Sequence, residues 1–325
     1  MRILVTGGAG FIGSYYVRSL LAEKYPGAER AEVTVLDKLT YAGNTANLPM
    51  QHPRLRFVRG DVCDRSLLLH LLPGHDAVVH FAAETHVDRS LVEPDVFVRT
   101  NVGGTQNLLD CCLETGIRRV VHVSTDEVYG SIDEGAWTEE APLLPNSPYS
   151  ASKAGADLLA RAYWSTHGLD LSVTRCCNNY GPYQYNEKVI PAFITNLLGG
   201  LSVQLYGDGG NIREWVHVDD HCRAVHAVLC DGRAGEVYNI GGDPLSNMDL
   251  TGRLLELYGV GWDRVRFVKD RKGHDRRYAV DDSKIRTELG YVPRVELDEG
   301  LPAVAAWYRE NRAWWNLVQD AVGYG

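Results

Sequence analysis

The chain has 325 residues, 45% of them hydrophobic, which is enough for a large core and favours one large domain with a smaller lobe. A formal net charge of −9 argues against general nucleic-acid binding, although it leaves room for a local basic pocket that binds phosphate. No apolar run reaches membrane-spanning length, no signal peptide is expected before the first strand, and the seven cysteines follow no disulfide or metal-ligand spacing; we therefore expect a cytoplasmic protein with reduced thiols and no metal.

The N-terminal segment predicts a dinucleotide-binding turn. Residues 2–6 form an apolar strand, the glycines Gly7, Gly10 and Gly13 follow at once, and a helix is predicted over 14–24. Glycines in such a turn let backbone N–H groups approach a pyrophosphate at the positive end of the helix. A tight turn in an unrelated α/β protein is the alternative interpretation.

The second predicted strand, 32–36, indicates which dinucleotide is bound. It ends at Asp37, at the distance expected for an acid that binds an adenosine ribose. A carboxylate suits a free 2′-hydroxyl and repels a 2′-phosphate, so we expect NAD rather than NADP, although Lys38 weakens this argument slightly. After the third strand, Asp61 is a candidate for contact with an adenine edge.

Strands and helices then alternate, which predicts an α/β fold with a Rossmann-type, doubly wound parallel sheet. After residue 177 the segments become shorter and richer in Gly, Pro, Asn and Tyr, so a smaller α+β substrate lobe is expected at the C-terminal side. We expect an NAD-binding domain over 1–177, to which 214–241 returns, and a lobe over 178–213 and 242–325. The predicted elements in this half are strands at 55–58, 76–83, 119–124 and 171–175, and helices at 94–115 and 148–167.

Two segments carry acid–base chemistry. Tyr149 and Lys153 lie four residues apart on a predicted helix, so they share one face, and the lysine charge favours the tyrosinate. Thr125, Asp126 and Glu127 follow a buried strand, where open α/β sheets bind ligands. Adjacent carboxyls in a dry cleft should have pKa values that are pushed apart. An exposed helix pair and a solvated turn are the alternative interpretations.

Six motifs together carry a family resemblance that runs from Met1 to about Trp315. On these motifs the chain resembles the extended short-chain dehydrogenase/reductase superfamily and, within it, the dTDP-glucose 4,6-dehydratases. The Thr-Asp-Glu sequence discriminates best, because related sugar epimerases lack the Asp-Glu pair. The motifs are Thr-Gly-Gly-Ala-Gly-Phe-Ile-Gly from Thr6, Asp-Lys-Leu-Thr-Tyr-Ala-Gly-Asn from Asp37, Phe-Ala-Ala-Glu-Thr-His-Val-Asp-Arg-Ser from Phe81, Ser-Thr-Asp-Glu-Val-Tyr-Gly from Ser124, Asn-Asn-Tyr-Gly-Pro-Tyr-Gln from Asn178 and Gly-His-Asp-Arg-Arg-Tyr from Gly273.

The resemblance implies a hydro-lyase: NAD-dependent oxidation at C4 of dTDP-glucose, loss of water across C5–C6, and return of hydride to C6, giving dTDP-4-keto-6-deoxy-glucose. Tyr149 would remove the proton from the C4 hydroxyl, and Lys153 would hold the nicotinamide ribose and keep the tyrosine pKa low. Glu127 would take the C5 proton, Asp126 would protonate the departing C6 hydroxyl, and Thr125 would bind near the C4 oxygen.

The resemblance also implies a tightly held NAD that is regenerated in each turnover, a homodimer, and a role in deoxysugar formation for antibiotics. Gln204 stands where the family usually has proline, which leaves the choice between dTDP and UDP open. The implied NAD contacts are Gly7, Gly10, Phe11, Ile12, Gly13, Asp37, Lys38, Leu39, Thr40, Asp61, Val62, Phe81, Ala82, Ala83, Thr100, Tyr149, Lys153 and Asn179. The implied substrate contacts, including candidate cations for a diphosphate, are Thr85, Thr125, Asn178, Lys188, Val189, Leu205, Tyr206, Arg213, Asn247, His274, Asp275, Arg276, Arg277 and Tyr278.

Two other functions remain open at this point. A 4-epimerase or decarboxylase for nucleotide-sugars would use the same NAD site, but an epimerase has no need of the Asp126–Glu127 pair. A non-catalytic NAD-sensing protein would need neither this pair nor Tyr149 and Lys153.

Overall fold

The computed structural model of the protein describes residues 1–320. The strands, numbered in chain order, are β1 Arg2–Thr6, β2 Glu32–Asp37, β3 Leu55–Arg59, β4 Ala77–His80, β5 Arg119–Thr125, β6 Leu171–Cys176, β7 Asn178–Tyr180, β8 Val203–Tyr206, β9 Ile212–His217, β10 Val237–Ile240, β11 Asp243–Ser246 and β12 Val265–Val268. The helices are α1 Phe11–Leu21, α2 Arg65–Leu71, α3 Val87–Val92, α4 Pro94–Phe97, α5 Thr105–Thr115, α6 Pro148–His167, α7 Val189–Leu198, α8 Val218–Asp231, α9 Asn247–Leu257, α10 Ser283–Leu289, α11 Leu297–Glu310 and α12 Arg312–Asp320.

Seven strands form one parallel sheet in the order β10-β6-β5-β4-β1-β2-β3. Strand β1 is the pivot, because its Val5 lies beside Val35 of β2 on one side and Val79 of β4 on the other. Chain order runs outward in opposite directions from this point, and such a switch point leaves a crevice at the carboxyl ends of the strands. The predicted Rossmann-type α/β fold is confirmed.

The sheet is buried on both faces, as parallel sheets are when helices cover them. Ile3 and Val5 of β1 pack on the side of α1 and α8, whereas Leu4 packs on the side of α2 and α5. Successive side chains of a strand point to opposite faces, so each strand supplies both layers of core. The apolar residues at the start of the chain therefore contribute to the core on both faces of the central sheet.

Three predicted elements need adjustment. Helix α1 begins at Phe11 rather than at residue 14, so the glycine turn leads directly into it. The helix predicted over 94–115 is divided into α4, a π-helical turn over Val98–Gly104, and α5. The strand predicted over 76–83 ends at His80, which leaves 81–83 as a loop beside the glycine turn.

A second group of elements packs beside the large sheet. Strands β11, β9 and β7 form one small sheet, and β12 and β8 form another. Helices α7, α9 and α11 contribute Phe193, Leu254 and Leu301 to a separate apolar core. Strand β10 leaves this region and pairs with β6 at the edge of the large sheet, while α8 packs against α1.

The C-terminal helices are tied to the N-terminal turn. The indole Nε1 of Trp314, in α12, donates a hydrogen bond to Asn47 Oδ1 at 2.8 Å. Asn47 Nδ2 in turn donates to the carbonyl oxygen of Ala9, inside the glycine turn, at 2.9 Å. Trp307 and Tyr308 of α11 pack with Trp314 in one aromatic cluster. These aromatic residues thus join the C-terminal helices to the first turn of the chain.

Candidate functional site

The glycine turn is shaped by two backbone approaches. Gly7 has φ +69° and donates its N–H to Leu36 O at 2.9 Å. A Cβ on Gly7 would lie 2.6 Å from Ala82 N, and a Cβ on Gly13 would collide with the Gly7 carbonyl. The turn therefore sits tightly between the ends of β1 and β4 and directs backbone N–H groups from the start of α1 into the crevice, an arrangement that suits a pyrophosphate.

Asp37 lies at the end of β2, where the sequence predicts it, and it is buried. Its Oδ2 accepts from Ala9 N at 2.9 Å and its Oδ1 accepts from Leu39 N at 2.8 Å, so the carboxyl braces the glycine turn against the next loop. Burial raises its pKa. Lys38 forms an ion pair with Asp61 at 2.8 Å, which links two of the predicted adenosine contacts. The Lys38 charge, which would otherwise favour a 2′-phosphate, is therefore paired with a carboxylate.

The loop after β4 is fixed by a buried asparagine in the π-helical turn. Asn101 accepts from Glu84 N at 2.8 Å, donates to Glu84 O at 3.0 Å and donates to Ser152 Oγ on α6 at 2.8 Å. π-Helical turns occur frequently at functional sites. Here the turn holds the loop after β4 in place beside α6, and Ala82 of that loop lies against Gly7.

Helix α6 presents Tyr149 and Lys153 on its buried face. A capping box between Ser147 and Ser150 fixes its first turn. Tyr149 shares a side-chain hydrogen bond with Thr125, and the Nζ of Lys153 donates to Val123 O at 2.7 Å. Both contacts join the helix to β5.

The predicted lowering of the tyrosine pKa is not found. Burial and the nearby carboxyl of Glu127 raise the pKa of Tyr149 well above its ordinary value. The Lys153 ammonium is held at the Val123 carbonyl, and burial lowers its own pKa to about 8. The four-residue spacing correctly predicts that the two side chains share one face of the helix. It does not predict that burial and a neighbouring carboxyl make the phenolate form of Tyr149 unfavourable.

Asp126 and Glu127 lie in a 3₁₀ turn directly after β5. Thr125 Oγ1 caps this turn by accepting from Glu127 N at 3.3 Å, and it also contacts Asp126 Oδ1 at 3.2 Å. Asp126 is only 2% exposed, and its Oδ2 has no hydrogen-bond partner among the described residues. The solvated-turn interpretation is therefore wrong.

The two carboxyls have opposite electrostatic surroundings. Burial, Glu127 and Glu214 all raise the pKa of Asp126. Burial also raises the pKa of Glu127, but Arg213, Lys188 and Arg271 act against it. The surroundings thus favour a proton on Asp126 more than on Glu127, in keeping with the expectation that the two pKa values are pushed apart.

The cations near Glu127 are held by backbone carbonyls. Lys188 donates to Thr85 O at 2.8 Å, and Arg213 donates to Asp275 O at 2.8 Å. The Arg213 guanidinium also lies 4.2 Å from the ring centre of Tyr278, whose hydroxyl donates to Asp275 Oδ2 at 2.5 Å. These predicted substrate contacts therefore meet at one wall of the crevice.

The other predicted diphosphate cations are differently placed. Arg276 is exposed and pairs with Asp208 at 2.7 Å, Arg277 donates to Gly135 O at 2.8 Å, and His274 Nδ1 lies 2.6 Å from Asp270. These side chains engage loops around the site rather than Glu127. The remaining predicted contacts lie in β7 (Asn178 and Asn179), at the start of α7 (Val189), in β8 (Leu205 and Tyr206) and at the start of α9 (Asn247).

Sequence reasoning missed two charged groups of the site. Arg271 precedes a recognised motif by two residues, lies 5.5 Å from the Tyr206 ring centre and faces Glu127. Glu214 follows Arg213 in β9, where strand alternation predicts that one of the two points away. Glu214 is buried and faces Asp126, whereas Arg271 is half-buried. Proximity to the recognised Arg213 and Gly273 segments was the one signal available for them.

Within residues 1–320, no helix is long and apolar enough to cross a membrane. In the same part of the chain, no group of three His, Cys, Asp or Glu side chains is placed to hold a metal ion. All seven cysteines are free thiols.

Comparison with known proteins gives consistent matches over nearly the whole chain. A family model described as GDP-mannose 4,6 dehydratase matches residues 4–304. A dTDP-glucose 4,6-dehydratase of Streptomyces antibioticus is 62% identical over 98% of this chain and 96% of its own length. The crystal structure of a dTDP-glucose 4,6-dehydratase of Streptomyces venezuelae, with NAD and dTDP bound, superimposes with a TM-score of 0.96 at 62% identity, covering 98% of this chain and 100% of the other.

A UDP-glucose 4-epimerase of Thermotoga maritima is more distant, with 31% identity and a TM-score of 0.89 over 96% of this chain and 100% of the other. The fold is thus shared with epimerases, whereas the high identity is to dehydratases. The chain belongs to the family that the GDP-mannose 4,6 dehydratase model describes, on the branch of the dTDP-glucose 4,6-dehydratases.

Proposed function

We propose that the protein converts dTDP-glucose to dTDP-4-keto-6-deoxy-glucose with a resident NAD. The observation that carries this proposal is the Asp126–Glu127 pair: two adjacent carboxyls at the carboxyl end of β5, one surrounded by anions and the other by cations. Simple oxidation of an alcohol uses only Tyr149 and Lys153. Removal of water from a carbon skeleton needs an additional acid and an additional base.

The crevice suits NAD. The glycine turn would receive its pyrophosphate, and Asp37, Lys38 and Asp61 at the ends of β2 and β3 would surround its adenosine. The loop 81–83 and Thr100 lie further along the same edge. When bound, NAD supplies the chemistry that the side chains lack, the acceptance of hydride from C4 and its return to C6.

The side chains for the oxidation step, Tyr149 and Lys153, lie on the buried face of α6. Tyr149 would take the proton from the C4 hydroxyl, and its bond to Thr125 fixes the direction of the phenol. Because burial holds the pKa of Tyr149 high, proton removal needs nearby positive charge, which the Lys153 ammonium and a cationic nicotinamide would provide. The burial of Lys153 keeps this charge close to the reaction.

The elimination step belongs to the 3₁₀ turn after β5. Once C4 is a ketone, the C5–H bond is acidic, and the Glu127 carboxylate would remove that proton. The C6–O bond breaks while Asp126 donates its proton to the leaving hydroxyl, so one water molecule departs. A proton then adds to C5 and hydride adds to C6 of the unsaturated ketone, which gives the 4-keto-6-deoxy sugar.

The nucleotide end of the substrate would lie against the smaller lobe. Arg213 would contact the diphosphate, and Tyr206 and Asn247 lie nearby for the base and ribose. We propose that residues 178–213 and 242–325 form this lobe and that 1–177 with 214–241 form the NAD-binding domain. We further propose a homodimer and, from the free thiols, a cytoplasmic location.

The test is an assay of the purified protein with dTDP-glucose and, separately, UDP-glucose, without added NAD. We expect a 4-keto sugar with the dTDP substrate, detected by its absorbance in base, and no requirement for added cofactor. Formation of a C4 epimer in place of a ketone would instead support an epimerase, which has no use for the pair. Absence of any reaction with both substrates would overturn the proposal.

A further inference from the structure

Glu214 is a third carboxyl at the end of the sheet, and no step of the proposed reaction uses it. It lies in β9 and is 8% exposed. Its Oε2 accepts from Val280 N at 3.2 Å, which fixes the direction of the side chain. A carboxyl at this buried position, close to the reacting groups, needs an explanation.

Strand register places Glu214 and Asp126 on either side of Cys177. Thr125 of β5 lies beside Cys176 of β6, so the next residues, Asp126 and Cys177, are neighbours. Asn178 of β7 lies beside Trp215 of β9, so the preceding residues, Cys177 and Glu214, are neighbours too. Both carboxyls flank Cys177, and both raise the pKa of its thiol.

Among the described residues, the charged groups that act most strongly on Asp126 are anionic, and none of them is a cation. Its neighbours of like charge are Glu127 and Glu214, and its Oδ2 lacks a hydrogen-bond partner among the described residues. The cations of the site, Arg213 and Lys188, face Glu127 instead. A protonated carboxyl with an unpaired oxygen can donate its proton to a leaving hydroxyl.

We propose that Glu214 is a positioning residue for the elimination, and that its negative charge holds the proton on Asp126 until the C6 hydroxyl leaves. The inference rests on the proposed dehydratase function and deepens it. Glu214 itself touches neither substrate nor cofactor; it acts through Asp126.

The pH range in which Glu214 is charged fits this role. Burial raises its pKa to about 7, so the carboxyl ionises above neutrality. Asp126 would lose its proton most easily in this same range, and there the charge on Glu214 opposes the loss. The groups that face Glu214 from the packed segments are Asp126 after β5, Cys176 and Cys177 at the end of β6, Arg277 in the segment before α10, and Asp282 at the start of α10.

Cys176 is a competing source of negative charge, since its pKa is lowered to about 5 by Cys177 and His221. It also raises the pKa of Asp126. The experiment must therefore separate the thiolate from the carboxylate.

The test is Glu214→Gln, which keeps an acceptor for Val280 N and removes the charge. With dTDP-glucose at pH 8, we expect elimination to slow by up to about tenfold, the limit for a one-unit change in a pKa, and enzyme-bound NADH to accumulate, because C4 oxidation continues. At pH 6 the effect should be smaller, since Glu214 is then mostly protonated and its replacement removes little charge.

A substrate with fluorine in place of the C6 hydroxyl isolates the role of Asp126, because fluoride departs without a proton. The Glu214→Gln effect at pH 8 should vanish with this substrate, whereas a merely structural defect would persist. Glu139→Gln is the matched control: Glu139 also accepts one backbone N–H, from Asn239 at 2.9 Å, but does not face Asp126. It should behave as the unaltered protein.

Equal loss with both substrates would overturn the proposal, as would an unchanged pH profile in Glu214→Gln. If Cys176→Ala shows the slow elimination at pH 8 and Glu214→Gln does not, the proposal is also overturned, because the Cys176 thiolate would then be the group that holds the proton on Asp126. If the unaltered protein forms no ketone at all, the dehydratase proposal fails first, and that outcome is distinct from a failure of the Glu214 variant alone.

Discussion

One peptide bond joins Asp126 to Glu127, yet the two carboxyls face different charges. Thr125 caps the turn that separates them, and the turn directs Asp126 towards the anions at the ends of β6 and β9. Glu127 faces the cations carried by β9, the start of α7 and the loop after β12. Opposite roles for neighbouring carboxyls thus follow from which segments surround each one.

Replacement of Glu127 by Gln should stop the reaction after oxidation. The amide cannot accept the C5 proton, so we expect product formation to fall by about 10²-fold or more while bound NADH remains detectable at its own absorbance. Glu140→Gln, at an exposed site, is the control and should retain full turnover. Full turnover in the Glu127 variant would refute its role as the base.

Lys153 should cost stability while it serves the reaction. Folding lowers its pKa from 10.5 to about 8, so the fold disfavours its charged form, by about 3 kcal/mol at neutral pH. This cost is fully present below about pH 8 and disappears as the pH rises towards 10.5.

We therefore expect Lys153→Met to lose activity and to unfold at higher urea concentration than the unaltered protein at pH 7. The stability difference should shrink between pH 8 and pH 10, as followed by circular dichroism. A difference that stays constant with pH would show that the ammonium is not the source.

At the scale of elements, the glycine turn has two roles. It packs the end of β1 against the loop after β4, and it is the predicted binding site for the pyrophosphate. Gly7→Ala adds about 1 kcal/mol of backbone strain at positive φ and a clash with Ala82 that costs about 1–3 kcal/mol more. Gly27→Ala is the matched control, because Gly27 has φ +78° but nothing lies within 4 Å of its Cβ position.

We expect Gly27→Ala to lower the free energy of unfolding by about 1 kcal/mol and to keep its NAD. Gly7→Ala should lose more stability and should also be purified with less NAD, measured by absorbance after acid release. Equal losses in the two variants would show that the contact with the loop after β4 is unimportant.

The sequence predicted both ends of helix α6 and the positions of the first six strands of the chain, because each has local signals. Ser147-Pro148 begins α6 and Gly168, in the left-handed region, ends it. The start of α1 was misplaced because glycines in the first turn of a helix disguise it. The division of 94–115 was missed because the π-helical turn depends on the distant partners of Asn101.

The residues of the site also fall into a group that the sequence predicted and a group that it did not. Tyr149, Lys153, Asp126 and Glu127 each follow from spacing and strand position. Arg271 and Glu214 do not, since a loop and a neighbouring sheet bring them to the pair only in the folded chain.

At the scale of the molecule, apolar side chains on α6 and on the 94–115 region are exposed. Leu158, on α6, is 57% exposed, and Val98, at the start of the π-helical turn, is 55% exposed. Burial of such side chains between two copies would stabilise a dimer.

Sedimentation equilibrium should therefore give twice the chain mass of 36.1 kDa. Leu158→Glu should shift the mass towards the monomer, whereas Leu201→Glu should not, since Leu201 is equally exposed, at 60%, but lies between α7 and β8 in the other lobe. A monomeric unaltered protein would refute the interface.

The hydrogen bonds from Trp314 to Asn47 and from Asn47 to Ala9 have a consequence for biosynthesis. A ribosome makes Ala9 about 300 residues before Trp314, so this corner of the nascent domain is incomplete until the Trp314 indole has emerged. Nascent chains halted upstream of residue 314 should therefore carry an unfinished nucleotide cradle and gain full retention of the dinucleotide only after release.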